Sequence, residues 1–153
     1  MPDTLATCID SLRCEVSSAI SVAALYKGSG LYSLSLTLPL DHIPSIPQLP
    51  PPFLIWGRPD HNHYRIGLGI AAQFEASGSG RFGKLQHDFA QLRAGWRHDC
   101  RTGFAYQPGA FCAFAFDQDD TMSGPWQGIA NSLIAIPEVL LEFNEGQYTL
   151  TLS

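Results

Sequence analysis

The sequence predicts an α+β fold: a mostly antiparallel sheet with two amphipathic helices. Strand-like runs follow one another without an intervening helix in several places, which favours antiparallel pairing over a doubly wound parallel sheet. Two other segments carry apolar residues at steps of three and four, the spacing of a helix with one buried side. The 153 residues are enough for one ordinary domain, and we predict a single domain over 1–153.

The first helix is predicted near the N-terminus. Its apolar positions recur from Leu5 to Ala23, with serines and other polar residues on the opposite side. Asp3 or Thr4 can cap its start, and Gly28–Gly30 ends the segment. Because serines and β-branched residues lower its helix propensity, this helix depends on packing against the rest of the domain.

A strand and a proline-rich crossing follow. Leu31–Leu38 alternates leucine with serine and threonine along most of its length, which predicts a half-buried strand. Pro39–Pro52 holds six prolines and cannot sustain a helix or a central strand. A structured surface crossing is favoured over a domain linker, because Ile43, Ile46 and Leu49 still supply apolar anchors.

The next two runs, Phe53–Trp56 and Tyr64–Ala72, predict a hairpin around a polar turn. Gly67 and Gly69 leave one face of the second strand without side chains, so another element can approach the backbone closely. This Gly-Leu-Gly is not a dinucleotide-binding fingerprint, because it lies inside a strand and not in a strand-to-helix turn.

The second helix is predicted after Ser77–Gly80, in which a serine can cap its start. Its apolar side is formed by residues at steps of three and four: Phe82, Leu85, Phe89, Leu92 and Trp96. Its solvent side is predicted to carry Arg81, Lys84, Asp88 and Gln91. The stretch Arg97–Gln107 is polar and is predicted to be irregular.

The segment Phe111–Phe116 begins the most apolar and aromatic-rich part of the chain. Both of its alternating sets are apolar, which predicts a central strand covered on both faces and not an edge strand. After a polar, turn-rich loop the chain returns through Trp126 to Leu133–Ile136, which is predicted to pair with it in antiparallel fashion.

The C-terminal residues predict two further strands. Proline removes a donor from a strand ladder, so Pro137 marks a bulge or the start of a new strand, and two strands are expected to meet there. Val139–Phe143 and Gln147–Leu152 flank the turn Asn144–Gly146, which is typical of a hairpin. The chain is therefore predicted to end in sheet.

Composition excludes several functional classes. A net charge of −5 and nine scattered lysines and arginines give no basic footprint, so neither nucleic acid nor an anionic membrane surface is an expected partner. No apolar run approaches the roughly 20 residues that span a bilayer, and the start of the chain lacks a basic secretory signal. We expect a cytoplasmic protein. Charged residues make up only 15%, against about 25% in an average domain, so part of the surface is expected to be covered or to belong to a larger enzyme.

The best local constellation for chemistry is Asp60, His61 and His63. A His-x-His beside a carboxylate can ligate zinc or take part in acid–base catalysis. A polar hairpin turn is the favoured interpretation, because two histidines and one acid are too few for a structural zinc site. The cysteines Cys8, Cys14, Cys100 and Cys112 contain no Cys-x-x-Cys pair and are predicted to be free thiols.

Other candidate residues are predicted to have structural or surface roles. The adjacent pairs His87-Asp88 and His98-Asp99 are interpreted as solvated surface. Cys112 is expected to be buried and inert. The tryptophans Trp56, Trp96 and Trp126 could line a ligand pocket, but core packing is favoured.

The order of these motifs resembles the N-terminal half of isochorismate synthases, members of the chorismate-utilising enzyme family. The resemblance rests on motifs that occur in the same order along the chain. They are Leu34-Ser-Leu-Thr-Leu-Pro39, Phe53-Leu-Ile-Trp56, Gly67-Leu-Gly-Ile-Ala-Ala72 followed by Phe74, a helix with Arg81-Phe82, Leu85, Leu92 and Trp96, Phe114-Ala-Phe-Asp117, Leu133-Ile-Ala-Ile-Pro-Glu-Val-Leu-Leu-Glu142 and the ending Leu150-Thr-Leu152. It extends from about residue 5 to 153. The chain departs from the family at Cys112-Ala113, where Gly-Gly is usual, and at Gly57, where Glu is frequent.

The resemblance implies conversion of chorismate to isochorismate, a step of menaquinone or siderophore biosynthesis, by magnesium-assisted attack of water. It also implies that the lysine base, the glutamate acid and the metal-binding glutamates lie in the C-terminal half of the family enzyme. No catalytic, cofactor-binding or metal-binding residue is therefore expected in this chain. The expected partner is a C-terminal chorismate-binding domain, in cis or as a separate chain.

An alternative hypothesis is a free-standing binding module without catalysis. It would hold a small apolar or aromatic ligand in the hollow between the sheet and the helix Phe82–Trp96. Because the low charge content suggests a surface to be covered, self-association is also expected, with the terminal strands Val139–Phe143 and Gln147–Leu152 in the contact.

Overall fold

The computed structural model describes residues 10, 13, 14, 17, 18, 30–38, 52–103 and 106–153. In the last three ranges, nine strands form two sheets beside one α-helix. The strands are β1 Tyr32–Leu38, β2 Phe53–Arg58, β3 His63–Leu68, β4 Ala72–Ala76, β5 Arg97–Arg101, β6 Phe111–Phe114, β7 Ser132–Ile136, β8 Val139–Asn144 and β9 Gln147–Leu152, and the helix α1 is Arg81–Gly95.

The predicted class, α+β with mostly antiparallel sheet, is confirmed. The large sheet has six strands in the order β2-β3-β8-β9-β1-β5, and the small sheet has three in the order β4-β7-β6. Every pair is antiparallel except β1 with β5. The helix α1 packs against β4 and β7 of the small sheet. No helix in the described part of the chain is long and apolar enough to cross a membrane.

Two predicted segments lie largely or wholly outside the described residues. Of the first predicted helix, residues 10, 13, 14, 17 and 18 are described, and these have helical backbone and are exposed. The rest of that helix is outside the described ranges, and so is the proline-rich crossing, except for Pro52.

The large sheet has one apolar face and one polar face. Alternate residues of a strand point to opposite sides, and the apolar set forms the main core. That set is buried and comes from β1, β3, β8 and β9: Leu34, Leu38, Ile66, Val139, Leu141, Tyr148, Leu150 and Leu152. Several residues between them are buried but polar: Ser33, Ser35, Glu142, Thr149 and Thr151.

The chain changes sheets within the run predicted as one strand, Tyr64–Ala72. It divides into β3 of the large sheet and β4 of the small sheet, with the break at Gly69. Gly69 has φ +64°, a left-handed conformation that glycine adopts without strain. The close approach predicted at Gly67 is confirmed, since a Cβ there would lie 2.9 Å from Phe111 Cε2 and 3.0 Å from Pro137 Cβ.

The C-terminal strands match the prediction, but their exposure does not. The chain passes from β7 to β8 at Pro137, and β8 pairs with β9 across the turn Glu145–Gly146. However, β8 lies between β3 and β9, and β9 lies between β8 and β1. These interior, buried strands have no free edge to which another strand could add, and self-association of the chain stays a prediction.

The prediction that Phe111–Phe116 is a central strand is wrong. β6 is at the edge of the small sheet, paired with β7, and Cys112, Ala113 and Phe114 are exposed. Apolar residues on both faces indicate that a strand is suited to burial, but the pattern does not say which polypeptide covers it.

The region around α1 differs from the prediction in three respects. Arg81, expected on the solvent side, is buried, whereas Phe82, expected on the apolar side, is 54% exposed. The helix begins after Gly80 without a side-chain cap from the serines. Arg97–Arg101, expected to be irregular, forms β5 and pairs in parallel with β1.

The contact at Gly67 leads to a stability prediction. We expect Gly67→Ala to lower the free energy of unfolding by roughly 1–3 kcal/mol, because the new methyl group overlaps Phe111 and the rigid ring of Pro137. Gly83→Ala in α1 is the matched control, since a Cβ there meets no atom within 4 Å, and it should be neutral or stabilising by up to about 1 kcal/mol. Urea unfolding of both variants measures the difference. Equal stability of the two would show that the close packing at Gly67 is absent.

Candidate functional site

The polar face of the large sheet is organised by hydroxyl groups that hydrogen-bond in two short chains. In the first, Trp96 Nε1 donates to Ser33 Oγ at 2.8 Å, and Ser33 Oγ lies 2.8 Å from Ser153 Oγ. In the second, His98 Nε2 lies 2.8 Å from Ser35 Oγ, which lies 2.7 Å from Thr151 Oγ1. These bonds satisfy hydroxyls buried among the strands, and they fix two aromatic side chains over the sheet.

Beside these chains lies a buried carboxylate, Glu142 on β8, which is 5% exposed. Its Oε1 is 2.5 Å from His63 Nε2 and accepts a hydrogen bond from Arg65 Nη2 at 3.0 Å. Its Oε2 accepts a hydrogen bond from Tyr106 Oη at 3.0 Å. Arg65 lies directly opposite Glu142 in the β3–β8 ladder, so the strand register itself sets up the ion pair.

Tyr106 ties an irregular segment to this sheet. Burial, together with the negative charge of Glu142, raises the pKa of the Tyr106 phenol far above its usual value. The phenol therefore stays protonated at neutral pH and can donate to the carboxylate. This tether holds residues 106–110 over the polar face.

An open cavity of about 610 Å³ lies between the end of α1, β5 and the segment 106–110. Its lining includes Phe89, Arg93, Trp96 and His98. Burial lowers the pKa of His98, and the nearby Asp99 carboxylate opposes only part of this lowering. The imidazole is therefore neutral at pH 7. This is the hollow beside the helix Phe82–Trp96 that the sequence suggested, and its size is within the usual range of ligand pockets.

The predicted constellation at residues 60–63 does not form one site. His61 ends the turn Pro59–His61, is exposed, and has its Nε2 3.1 Å from Asp60 Oδ2. His63 begins β3 and binds Glu142. The polar turn is thus observed, with its two histidines in different surroundings. Within the described ranges, no group of three or more histidine, cysteine, aspartate or glutamate side chains is placed to hold a metal ion.

The other candidates divide between confirmed and corrected interpretations. His87 is exposed as predicted, with Gln91 Nε2 at 2.9 Å from its Nε2. His98 is not solvated surface, because β5 carries it onto the sheet beside the cavity. Cys112, expected to be buried, is exposed; Cys14 and Cys100 are exposed as well, and none of these three thiols is in a disulfide.

The interpretation of the tryptophans as core residues also needs correction. Trp56 is 41% exposed and Trp126 is 62% exposed. Trp96 lines the cavity, which is the pocket role that the sequence left as the less favoured alternative.

Glu142, Arg65 and Tyr106 were not predicted as site residues. A charged residue inside an apolar strand, as in Leu140-Leu-Glu142-Phe, is the signal that could have identified the carboxylate, since such a charge needs a partner. Its partners lie on other strands and loops, so the spacing along the chain did not reveal them.

The fold and cavity define an α+β domain with a small-molecule-sized hollow on the polar side of its larger sheet. A family model described as chorismate binding enzyme matches residues 30–153. The chain belongs to this family of chorismate binding enzymes. No curated protein and no solved structure gives a significant match.

The Tyr106 tether gives a prediction about stability and pH. Tyr106→Phe should lower the free energy of unfolding by roughly 1.5–3 kcal/mol at pH 7, because a buried carboxylate loses a hydrogen-bond donor. The folded-state pKa of Tyr106 is raised, so its contribution is complete below the ordinary tyrosine pKa of about 10 and is lost as the pH rises above that value. Urea unfolding between pH 7 and 11 should therefore show wild type and variant converging. Tyr64→Phe on the same sheet is the control, and an equal loss there would contradict a specific tether.

The turn at His61 gives a prediction about metal binding. Calorimetric titration with zinc should show weak binding at most, because His61 and His63 do not converge and the turn offers too few ligands. His61→Ala and the exposed control His87→Ala should behave alike. A tight one-to-one isotherm lost only in His61→Ala would prove a zinc site at this turn.

Proposed function

We propose that this chain is the N-terminal half of an isochorismate synthase and that it is not catalytic alone. Together with a C-terminal chorismate-binding domain, in cis or as a separate chain, it would convert chorismate to isochorismate in the cytoplasm for menaquinone or siderophore biosynthesis. The family assignment over residues 30–153 supports the general class. The order of the motifs supports the specific enzyme.

The observation that carries the role of a half enzyme is an exposed apolar surface at the edge of the small sheet. We call it the β6 patch: Phe114, Phe116, Trp126 and Ile129. Phe116 is fully exposed, Trp126 is 62% exposed and the other two are more than 40% exposed. Contiguous apolar surface of this kind on a soluble domain commonly marks an interface, and an edge strand offers free backbone groups for pairing.

The β6 patch is held in a defined shape by a buried cation. Arg81 donates to Asn131 Oδ1 at 2.7 Å and to the Ala115 carbonyl at 3.0 Å. Asn131 Nδ2 in turn donates to the Asp117 carbonyl at 2.9 Å. These bonds link α1 to both ends of the loop that carries Phe116 and Trp126. A preorganised apolar surface loses less conformational entropy on association, which favours docking of a second polypeptide.

Mg²⁺, which the family resemblance implies, does not fit the described acids. Glu142 is already engaged by Arg65, His63 and Tyr106, and the guanidinium of Arg65 would repel a cation. Asp117 and Asp120 accept hydrogen bonds from the backbone N–H groups of Asp119 and Met122 within their own loop. We therefore assign the metal and the catalytic groups to the C-terminal half.

The test is reconstitution with a separately produced C-terminal half of an isochorismate synthase. The chain alone, with chorismate and Mg²⁺, should show no turnover, and the mixture should bind and produce isochorismate. Phe114→Ser should weaken that association about tenfold or more, because it removes a large apolar side chain from the β6 patch. Phe53→Ser on edge strand β2 is the matched control, since Phe53 is 43% exposed and lies outside the patch.

Turnover by the chain alone, abolished by chelation of Mg²⁺, would overturn the proposal. Equal effects of Phe114→Ser and Phe53→Ser would overturn the assignment of the β6 patch as the interface. Sedimentation of the chain alone tests self-association: loss of a dimer in Phe114→Ser would place a second copy on the same patch.

A second function, a small-molecule-binding module, is favoured by the cavity beside α1. Its walls combine aromatic side chains with a few polar groups, as ligand pockets do. This function does not require a second half.

A further inference from the structure

We propose that the cavity beside α1 binds a planar aromatic ring carrying one carboxylate. The ring would lie against Phe89 and Trp96, and Arg93 would hold the carboxylate. This inference specifies the ligand of the binding module and so rests on that second function. It is independent of the role of the β6 patch, which lies on the other sheet.

The aromatic walls favour a ring, because the indole N–H of Trp96, the phenol of Tyr106 and one ring nitrogen of His98 already have partners. Trp96 Nε1 donates to Ser33, His98 Nε2 bonds to Ser35, and Tyr106 Oη donates to Glu142. What these side chains can still offer a ligand is mainly ring surface, and Phe89 offers nothing else. Aromatic side chains prefer planar partners in stacked or edge-to-face contact.

The charges favour an anion. Arg93 lines the cavity in the last turn of α1, and no described residue forms an ion pair with it. Nearby acids are engaged elsewhere, since Asp88 pairs with Lys84 and Asp99 with Arg101. None of the lining residues is acidic.

The planar shape of the Arg93 guanidinium indicates which kind of anion the cavity would bind. The planar guanidinium of arginine matches a carboxylate with two parallel hydrogen bonds. Arg93 follows Phe89 by four residues, so the two side chains share one face of α1. A ligand with a ring and an adjacent carboxylate can contact both at once. The chain is acidic overall, with net charge −5, so attraction of an anion to this place must come from the local arginine.

The probes are benzoate and its neutral counterpart benzamide, followed by two-dimensional NMR of the labelled chain. Benzoate should shift signals of Trp96 and Phe89 and bind more tightly than benzamide. Arg93→Gln should weaken benzoate binding about tenfold, the effect of losing one charge-assisted contact, and leave benzamide unchanged. Arg97→Gln is the matched control, because Arg97 is exposed on β5 and is not among the cavity-lining residues. Since Arg93 is exposed, the variant is expected to fold normally.

Equal affinity for the two probes, with no effect of Arg93→Gln, would overturn the carboxylate assignment while leaving the binding module intact. Absence of binding by both rings would overturn the ligand class and the module together. Loss of benzoate binding in Arg97→Gln but not in Arg93→Gln would place the anion outside the cavity and refute the proposal. Reconstitution with a C-terminal half is measured separately, so its outcome does not bear on this result.

Discussion

The burial of the Glu142 carboxylate is the constraint on which the polar side of the molecule depends. A carboxylate this far from water is costly unless its oxygens are paired. Here the partners come from β3 and from the segment after β5, so that satisfying one group brings together parts of the chain that are distant in sequence. If the segment 106–110 were to leave the sheet, Glu142 would lose a donor. The Glu142 carboxylate therefore fixes the position of the segment 106–110, which forms one wall of the cavity.

The register of the large sheet fixes the cavity wall formed by Trp96 and His98. Strand residues alternate between faces, so the leucines of β1 and β9 enter the core while their serines and threonines line the opposite side. A shift of one residue would expose the apolar set and bury hydroxyls in the core. In the observed register, Ser33 forms a hydrogen bond with Trp96, and Ser35 forms one with His98. The cavity is thus a consequence of strand pairing, with its aromatic walls attached to the sheet by hydrogen bonds.

The sequence predicted elements whose signal is local. The hairpin of β8 and β9, the strand β1 and the helix α1 follow from alternation, turn residues and helical spacing. It did not predict β5, because Arg97-His-Asp-Cys-Arg101 lacks an apolar set and is a strand only through its parallel pairing with β1. Long-range pairing of that kind leaves no mark on the spacing of residues.

The location of the candidate site could be predicted from the sequence, but the residues that form it could not. The hollow beside the second helix followed from the expected packing of helix on sheet, but the buried cluster around Glu142 depends on contacts between residues far apart in the chain. Arg81 shows the same limit. Its charge favours solvent, yet it lies buried because Asn131 and the Ala115 carbonyl satisfy it. Local pattern gives the environment that a residue prefers, whereas its partners are decided by tertiary structure.

The exposed apolar residues of the β6 patch also depend on contacts made by the buried Arg81. Two aromatic side chains of the patch, Phe116 and Trp126, lie on a loop that the buried Arg81 keeps in place. Burying a charged guanidinium carries a desolvation penalty. That the chain accepts this penalty at Arg81 indicates that the conformation of the loop is important. Since α1 carries both Arg81 and the cavity residue Arg93, one helix connects the outer apolar surface with the inner polar hollow.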